Sequence, residues 1–163
     1  MYMDKASVTD GLGVRVVLWV SGCLRKCPGC HNPESWDFDA GHPFDENAMN
    51  ELMDALRKPW VKGLTLSGGH PLENRNLYDV INIIDKVREE LPDKDIWLYT
   101  GFDISYDDII TSKMLLCKCD VIVAGPYIKE LRDITLAFRG SSNQKIIDVK
   151  KTIENGRTTL LEE

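Results

Sequence analysis

Cys23, Cys27 and Cys30 lie in the stretch SGCLRKCPGCHNPESWD, spaced CxxxCxxC, with no fourth cysteine beside them. Three thiolates within eight residues can wrap one soft metal centre. A structural zinc site asks for four protein ligands, often from two well-separated cysteine pairs. Here the local fourth is missing. His31 follows Cys30 directly, so its side chain reaches the same centre only with difficulty. Cys117 and Cys119 are the remaining thiols, and they fall near the start of an expected strand, toward the opposite rim. Cys119 reads as core and Cys117 as incidental. A cubane [4Fe-4S] cluster has four irons, each needing an outer ligand. Three cysteines leave one iron open to a substrate or cofactor. Spacing alone leaves a zinc knuckle, or plain buried cysteines, as competing readings.

A loop of this kind must be positioned by regular elements. VRVVLWVSG, Val14 to Gly22, is an apolar β-branched run that reads as a buried strand leading straight into the cysteines. Asp45 is a good N-cap for a helix through Lys58, with Met49, Leu52, Met53 and Leu56 at helical spacing. Val61 to Gly69 reads as a strand closed by a Gly-Gly turn. Asn76 to Leu91 reads as a helix stopped by Pro92. Strands follow at Asp95 to Phe102 and Cys119 to Tyr127, with a helix from Ser105 to Leu116 between them. Residues 128–144 read as loop, and Lys145 to Ile153 as a last strand. The charged tail after about residue 150 is a candidate flexible segment.

Strand and helix alternate, which implies right-handed crossovers and a largely parallel sheet. The expected class is α/β. Ligands of such sheets bind at the carboxyl ends of the strands. Gly22-Cys23, Ser67-Gly68-Gly69-His70, Thr100-Gly101 and Gly125-Pro126 all follow expected strand ends. Any one glycine could simply punctuate a strand. Their coincidence with the cysteine loop on one rim argues for a site.

The whole chain, residues 1–163, reads as a single domain. Its net charge of −6 argues against a nucleic-acid surface. No apolar run is long enough to span a bilayer. The first residues lack the layout of a secretory leader, so the expected location is the cytoplasm, where thiols stay reduced.

These segments resemble a known family. CxxxCxxC after the first strand is the hallmark of radical S-adenosylmethionine enzymes, and CPGCHNPESWD is similar to the pattern in glycyl-radical-enzyme activases. LSGGHPL resembles that family's Gly-Gly-Glu-Pro segment. VIVAGPYIKELRD and FRGSSNQKIID look like the branch of activases that serves anaerobic ribonucleoside-triphosphate reductases. The resemblance runs from about Gly11 to Asp148.

The resemblance implies a partial, open (β/α) barrel, since the chain is too short for eight units. It implies a [4Fe-4S] cluster on Cys23, Cys27 and Cys30, and S-adenosyl-L-methionine as cofactor, cleaved reductively to a 5′-deoxyadenosyl radical that takes a hydrogen from a glycine. The implied partners are the large glycyl radical subunit of the reductase and an external, flavodoxin-like one-electron donor. Ser67, Gly68, Gly69, His70 and Thr100 match positions near the methionine moiety, and His31 and Asn32 match positions flanking the adenine. Trp36 could pack beneath the loop or serve as an ordinary core aromatic.

The chain departs from the pattern in places. His70 stands where the family usually has Glu, and Gly29 where the superfamily often has an aromatic residue. The Asp and Lys that larger activases place on later strands have no counterpart in WLYTGF or VIVAGPY, leaving Lys129 or Arg139 as candidates. The competing functions are another small radical enzyme, such as a different activase or a deazapurine synthase, and a non-enzymatic iron–sulfur or zinc module.

Overall fold

The computed structural model describes residues 1–162. Six strands form one sheet whose spatial order follows the sequence: β1 (Tyr2–Ser7), β2 (Val14–Val20), β3 (Val61–Gly68), β4 (Asp95–Thr100), β5 (Val121–Ala124) and β6 (Lys145–Asp148). The four central strands are parallel, and β1 and β6 close the two ends antiparallel. The helices are α1 (Glu46–Leu56), α2 (Asn74–Glu90), α3 (Tyr106–Thr111) and α4 (Val149–Asn155). The class is therefore α/β with a mixed, mostly parallel sheet.

Local chemistry sets these elements. The Asp45 carboxylate caps α1 by accepting from Ala48 N, and Ser105 and Asp108 form a reciprocal capping box at α3. Period-two alternation splits the strands between two faces. Val16, Leu18, Leu64, Leu66, Ile96, Leu98 and Ile122 pack under α1 and α2 against Leu52, Leu56, Val80, Ile83 and Ile84, all buried. The other face carries a smaller cluster of Trp97, Val121, Val123 and Ile146, with Tyr99, Phe138 and Leu161 against it.

That second face also buries Arg15 completely. Its guanidinium pairs with Asp95 at 2.6 Å, donates to Thr65 Oγ1 at 2.7 Å and to the Leu64 carbonyl at 2.8 Å, and lies 5.2 Å from the Trp97 ring centroid. A charge so deep is tolerable only with such partners.

Three elements differ from the sequence reading. β1 was not foreseen. It is an end strand with exposed polar residues, so it lacks the apolar signature of its neighbours. The expected strand over Lys145 to Ile153 divides at Asp148, which caps α4 by accepting from Lys151 N. The expected helix from Ser105 to Leu116 ends at Thr111 and resumes as one 3-10 turn at Leu116–Lys118. After α4 the chain returns to β6: Leu161 N donates to the Ile146 carbonyl and Asp148 N to the Thr159 carbonyl.

Candidate iron–sulfur site

β2 delivers the chain to the cysteine loop through Gly22, whose φ of +99° suits only glycine and whose Cβ would fall inside the Phe38 ring. The loop is tied down by backbone bonds. Gly22 N donates to the Ser35 carbonyl at 2.7 Å, Cys23 N to the Trp36 carbonyl at 3.1 Å and Cys30 N to the Cys27 carbonyl at 3.1 Å. Between the first two cysteines Lys26 takes a left-handed φ of 46°, which turns the chain so that Cys27 comes back to the same cavity. Asn32 N points at Cys30 Sγ from 3.4 Å.

The β2–β3 pairing brings the second segment alongside. Gly69 N donates to the Val20 carbonyl at 2.7 Å and His70 N to the Gly22 carbonyl at 2.9 Å. Gly68, with φ +101°, lies so close to β2 that a Cβ would sit 2.6 Å from the Val20 carbonyl oxygen. Only a bare backbone fits between the two strand ends.

Cys23, Cys27, Cys30, His31, Ser67, Gly68, Gly69, His70 and Thr100 line one cavity of about 130 Å³, at the carboxyl ends of the parallel strands. Gly125, after β5, lines it too. Asn32 does not. It lines a neighbouring cavity of about 480 Å³ beside β1, which His31 shares. Cys23 is buried and burial pushes its thiol pKa up, while Cys27 and Cys30 are partly exposed.

The donor set fits a cluster. Among the described residues, no three His, Cys, Asp or Glu side chains converge closely enough to grip one ion. A cluster asks instead for one soft thiolate on each of several irons around a shared space, which three cysteines lining one cavity can offer.

The departures have structural answers. At Gly29 a Cβ would lie 3.1 Å from Lys129 Cδ, so the aliphatic stem of Lys129 covers the loop where an aromatic side chain is missing. Arg139 lines the same neighbouring cavity as Gly29 and Lys129 and donates to the Gln144 carbonyl at 3.4 Å. His70 is buried at 1 % exposure. Its Nε2 lies 2.8 Å from Thr100 Oγ1 and its Nδ1 3.3 Å from Glu73 Oε1. Both ring nitrogens are thus engaged inside the protein. Trp36 lines the cavity as well as accepting from Cys23 N.

A family model described as a 4Fe-4S single cluster domain matches residues 9–147. Curated anaerobic ribonucleoside-triphosphate reductase-activating proteins match over most of the chain. That of Escherichia coli K12 is 36% identical over 142 residues, covering 85% of this chain and 91% of that protein. That of Vibrio cholerae O1 is 40% identical, covering 85% and 90%. That of Enterobacteria phage T4 is 43% identical over 137 residues, covering 84% and 85%. The chain belongs to the family of anaerobic ribonucleoside-triphosphate reductase-activating proteins.

In this activating-protein family member, several cavity residues carry no sequence signal of their own. Tyr99, Tyr127 and Gln144 reach the site only because the sheet brings β4, β5 and the 128–144 loop together. Gln144 shapes that loop, accepting from Gly140 N and Ser141 N and donating to the Gly125 carbonyl. Glu73 is a further residue the sequence reading passed over: it stands three residues after His70, before the expected start at Asn76, and the structure makes it the N-cap of α2.

The other two cysteines lie away from the cavity. Cys119 is wholly buried, and burial pushes its thiol up to about 12. Iodoacetamide at pH 8 is therefore expected to label Cys27 and Cys30 in the cluster-free protein within minutes and to leave Cys119 unlabelled until the chain is denatured, as peptide mass spectrometry would show. Rapid labelling of Cys119 in the folded protein would contradict its place in the core.

Proposed function

We propose that this chain is a radical S-adenosylmethionine activase that installs a glycyl radical on the large subunit of an anaerobic ribonucleoside-triphosphate reductase. The observation that carries the reading is the gathering of Cys23, Cys27, Cys30, Gly68, Gly69 and Thr100 around one cavity. The names of the relatives supply the partner.

In this reading Cys23, Cys27 and Cys30 would hold a [4Fe-4S] cluster and leave it a position open to S-adenosylmethionine. When bound and supplied with one electron by a flavodoxin-like donor, the cluster and S-adenosylmethionine would provide the radical chemistry that removes a hydrogen atom from the partner's glycine. The chain's own residues bind and orient. Gly68 and Gly69 admit the cofactor to the backbone, Ser67 and Thr100 flank it, and His31 and Asn32 border the adenine end. His70 contributes shape rather than charge, because burial pushes its pKa down and keeps it neutral. The stem of Lys129 shields the loop at Gly29.

We further propose that the chain is one domain, built as a truncated barrel whose open side admits the partner's glycine loop, and that it works in the cytoplasm. Among the described residues, no helix is long and apolar enough to cross a membrane.

The test is anaerobic. Reconstituted protein, reductant, S-adenosylmethionine and the reductase are expected to give 5′-deoxyadenosine and a glycyl radical doublet by electron paramagnetic resonance. Cofactor cleavage without the doublet would reassign the partner. Stoichiometric zinc with no visible absorbance band would overturn the reading.

A further inference from the structure

Glu73 occupies the N-cap position of α2, yet its side chain makes no capping bond. Its carboxylate turns outward from the helix to the cysteine loop, where Oε1 accepts from Leu24 N at 3.1 Å. Leu24 is the residue after Cys23. The same oxygen faces His70 Nδ1 at 3.3 Å. A carboxylate can only accept, so the proton of the neutral imidazole sits on Nδ1 and Nε2 is the acceptor. Nε2 then receives the Thr100 hydroxyl at 2.8 Å, while Thr100 Oγ1 accepts from Phe102 N at 3.1 Å.

Every donor in this chain meets an acceptor. The line runs from the cysteine loop through the start of α2 to the end of β4. Two ring contacts close it: Phe102 stands edge-on to His70 with centroids 4.5 Å apart, and Arg25 of the cysteine loop lies 5.3 Å from the Phe102 ring centroid. Asn76 braces the base of the same turn, donating to the Ser21 and His70 carbonyls at 3.0 Å each.

We infer that His70 and Glu73 are positioning residues that clamp the first turn of the cysteine loop, fixing Cys23 against β4 before any metal binds. Hydrogen bonds to a charged carboxylate are stronger than neutral ones, and the imidazole both holds Glu73 and is held by Thr100. The consequence for a cluster rests on the functional reading above. The anchoring of the loop does not.

Two arms keep these apart. In the cluster-free, reduced protein, amide exchange followed by nuclear magnetic resonance should show Leu24 protected. Glu73→Ala and His70→Ala should each speed its exchange about tenfold, while Ile84 in α2 and Leu98 in β4 keep theirs. Glu73→Gln, which retains an oxygen at the same reach, should restore protection. Should His70→Ala unfold, His70→Gln takes its place. Unprotected Leu24 in the parent protein, or an effect of Glu73→Ala without one of the His70 variant, overturns the clamp. In the second arm, reconstituted Glu73→Ala should lose cluster absorbance to a chelator about tenfold faster than the parent, with Glu73→Gln close to it. Equal rates would sever the clamp from the cluster. A parent protein that takes up no cluster would sink the functional reading and leave the exchange arm to decide the clamp.

Discussion

Alanine at Cys23, Cys27 or Cys30 is expected to remove the iron–sulfur absorbance and to lower reductive cleavage of S-adenosylmethionine at least about a hundredfold, beyond the 10–100-fold usual for losing a mere supporting contact. The three substitutions should be equivalent, because each removes one of three thiols lining the same cavity. Cys117→Ala and Cys119→Ala should leave both readouts largely intact. Cys119 bonds through its thiol to the Leu115 carbonyl and sits in the apolar core, so its loss costs packing rather than chemistry. Absorbance near the cluster band and chromatography of 5′-deoxyadenosine measure the two effects. A folded Cys119→Ala protein without a cluster would revise the ligand set.

The largest effect on stability is expected far from the cysteines. Asp95→Ala leaves the Arg15 guanidinium at 0 % side-chain exposure without its ionic partner. Breaking a buried pair by removing one member costs about 3–5 kcal/mol. For a chain of this size that is a fall in Tm of roughly 6–20 °C. Asp95 keeps 22% of its side chain exposed, so the lower part of that range is the closer expectation. Arg15→Met combined with Asp95→Ala should recover much of the loss, because the buried charge goes with its partner. Thermal melts of the cluster-free protein decide it. A double variant no better than Asp95→Ala would show that the guanidinium's other bonds, to Thr65 and the Leu64 carbonyl, matter more than the ion pair.

Much of this molecule was legible before its structure. Val14–Val20 and Val61–Gly68 are apolar enough to declare themselves as buried parallel strands, and Asp45 marks the start of α1. The cysteine loop and the rim glycines were legible as types and spacings, and the sheet brings them to one cavity. What stayed hidden has physical reasons. β1 is polar because only one edge of it is paired. Ile146 and Ile147 are strand residues running directly into Val149, Thr152 and Ile153 of α4. A β-branched run conceals that change of period, and only the capping spacing from Asp148 to Lys151 betrays it. The environment of His70 could not be read at all, since its partner Thr100 lies thirty residues away and only pairing between β3 and β4 brings them together.

The order of strands in the sheet has a consequence for how the site comes into being. Each strand lies beside its predecessor in the sequence, so each can pair as soon as it is made, without waiting for a strand further along the chain. A chain leaving the ribosome at about 5–20 residues per second completes β2, the cysteines and β3 while β5 and β6 are still unmade. By then Gly22 already has Ser35 and His70 as backbone partners. Thr100 arrives one strand later and engages His70. The nascent protein therefore ties down its thiol loop early and locks it as β4 docks, while the later chain still has to bring Gly125, Tyr127 and Gln144 to complete the cavity.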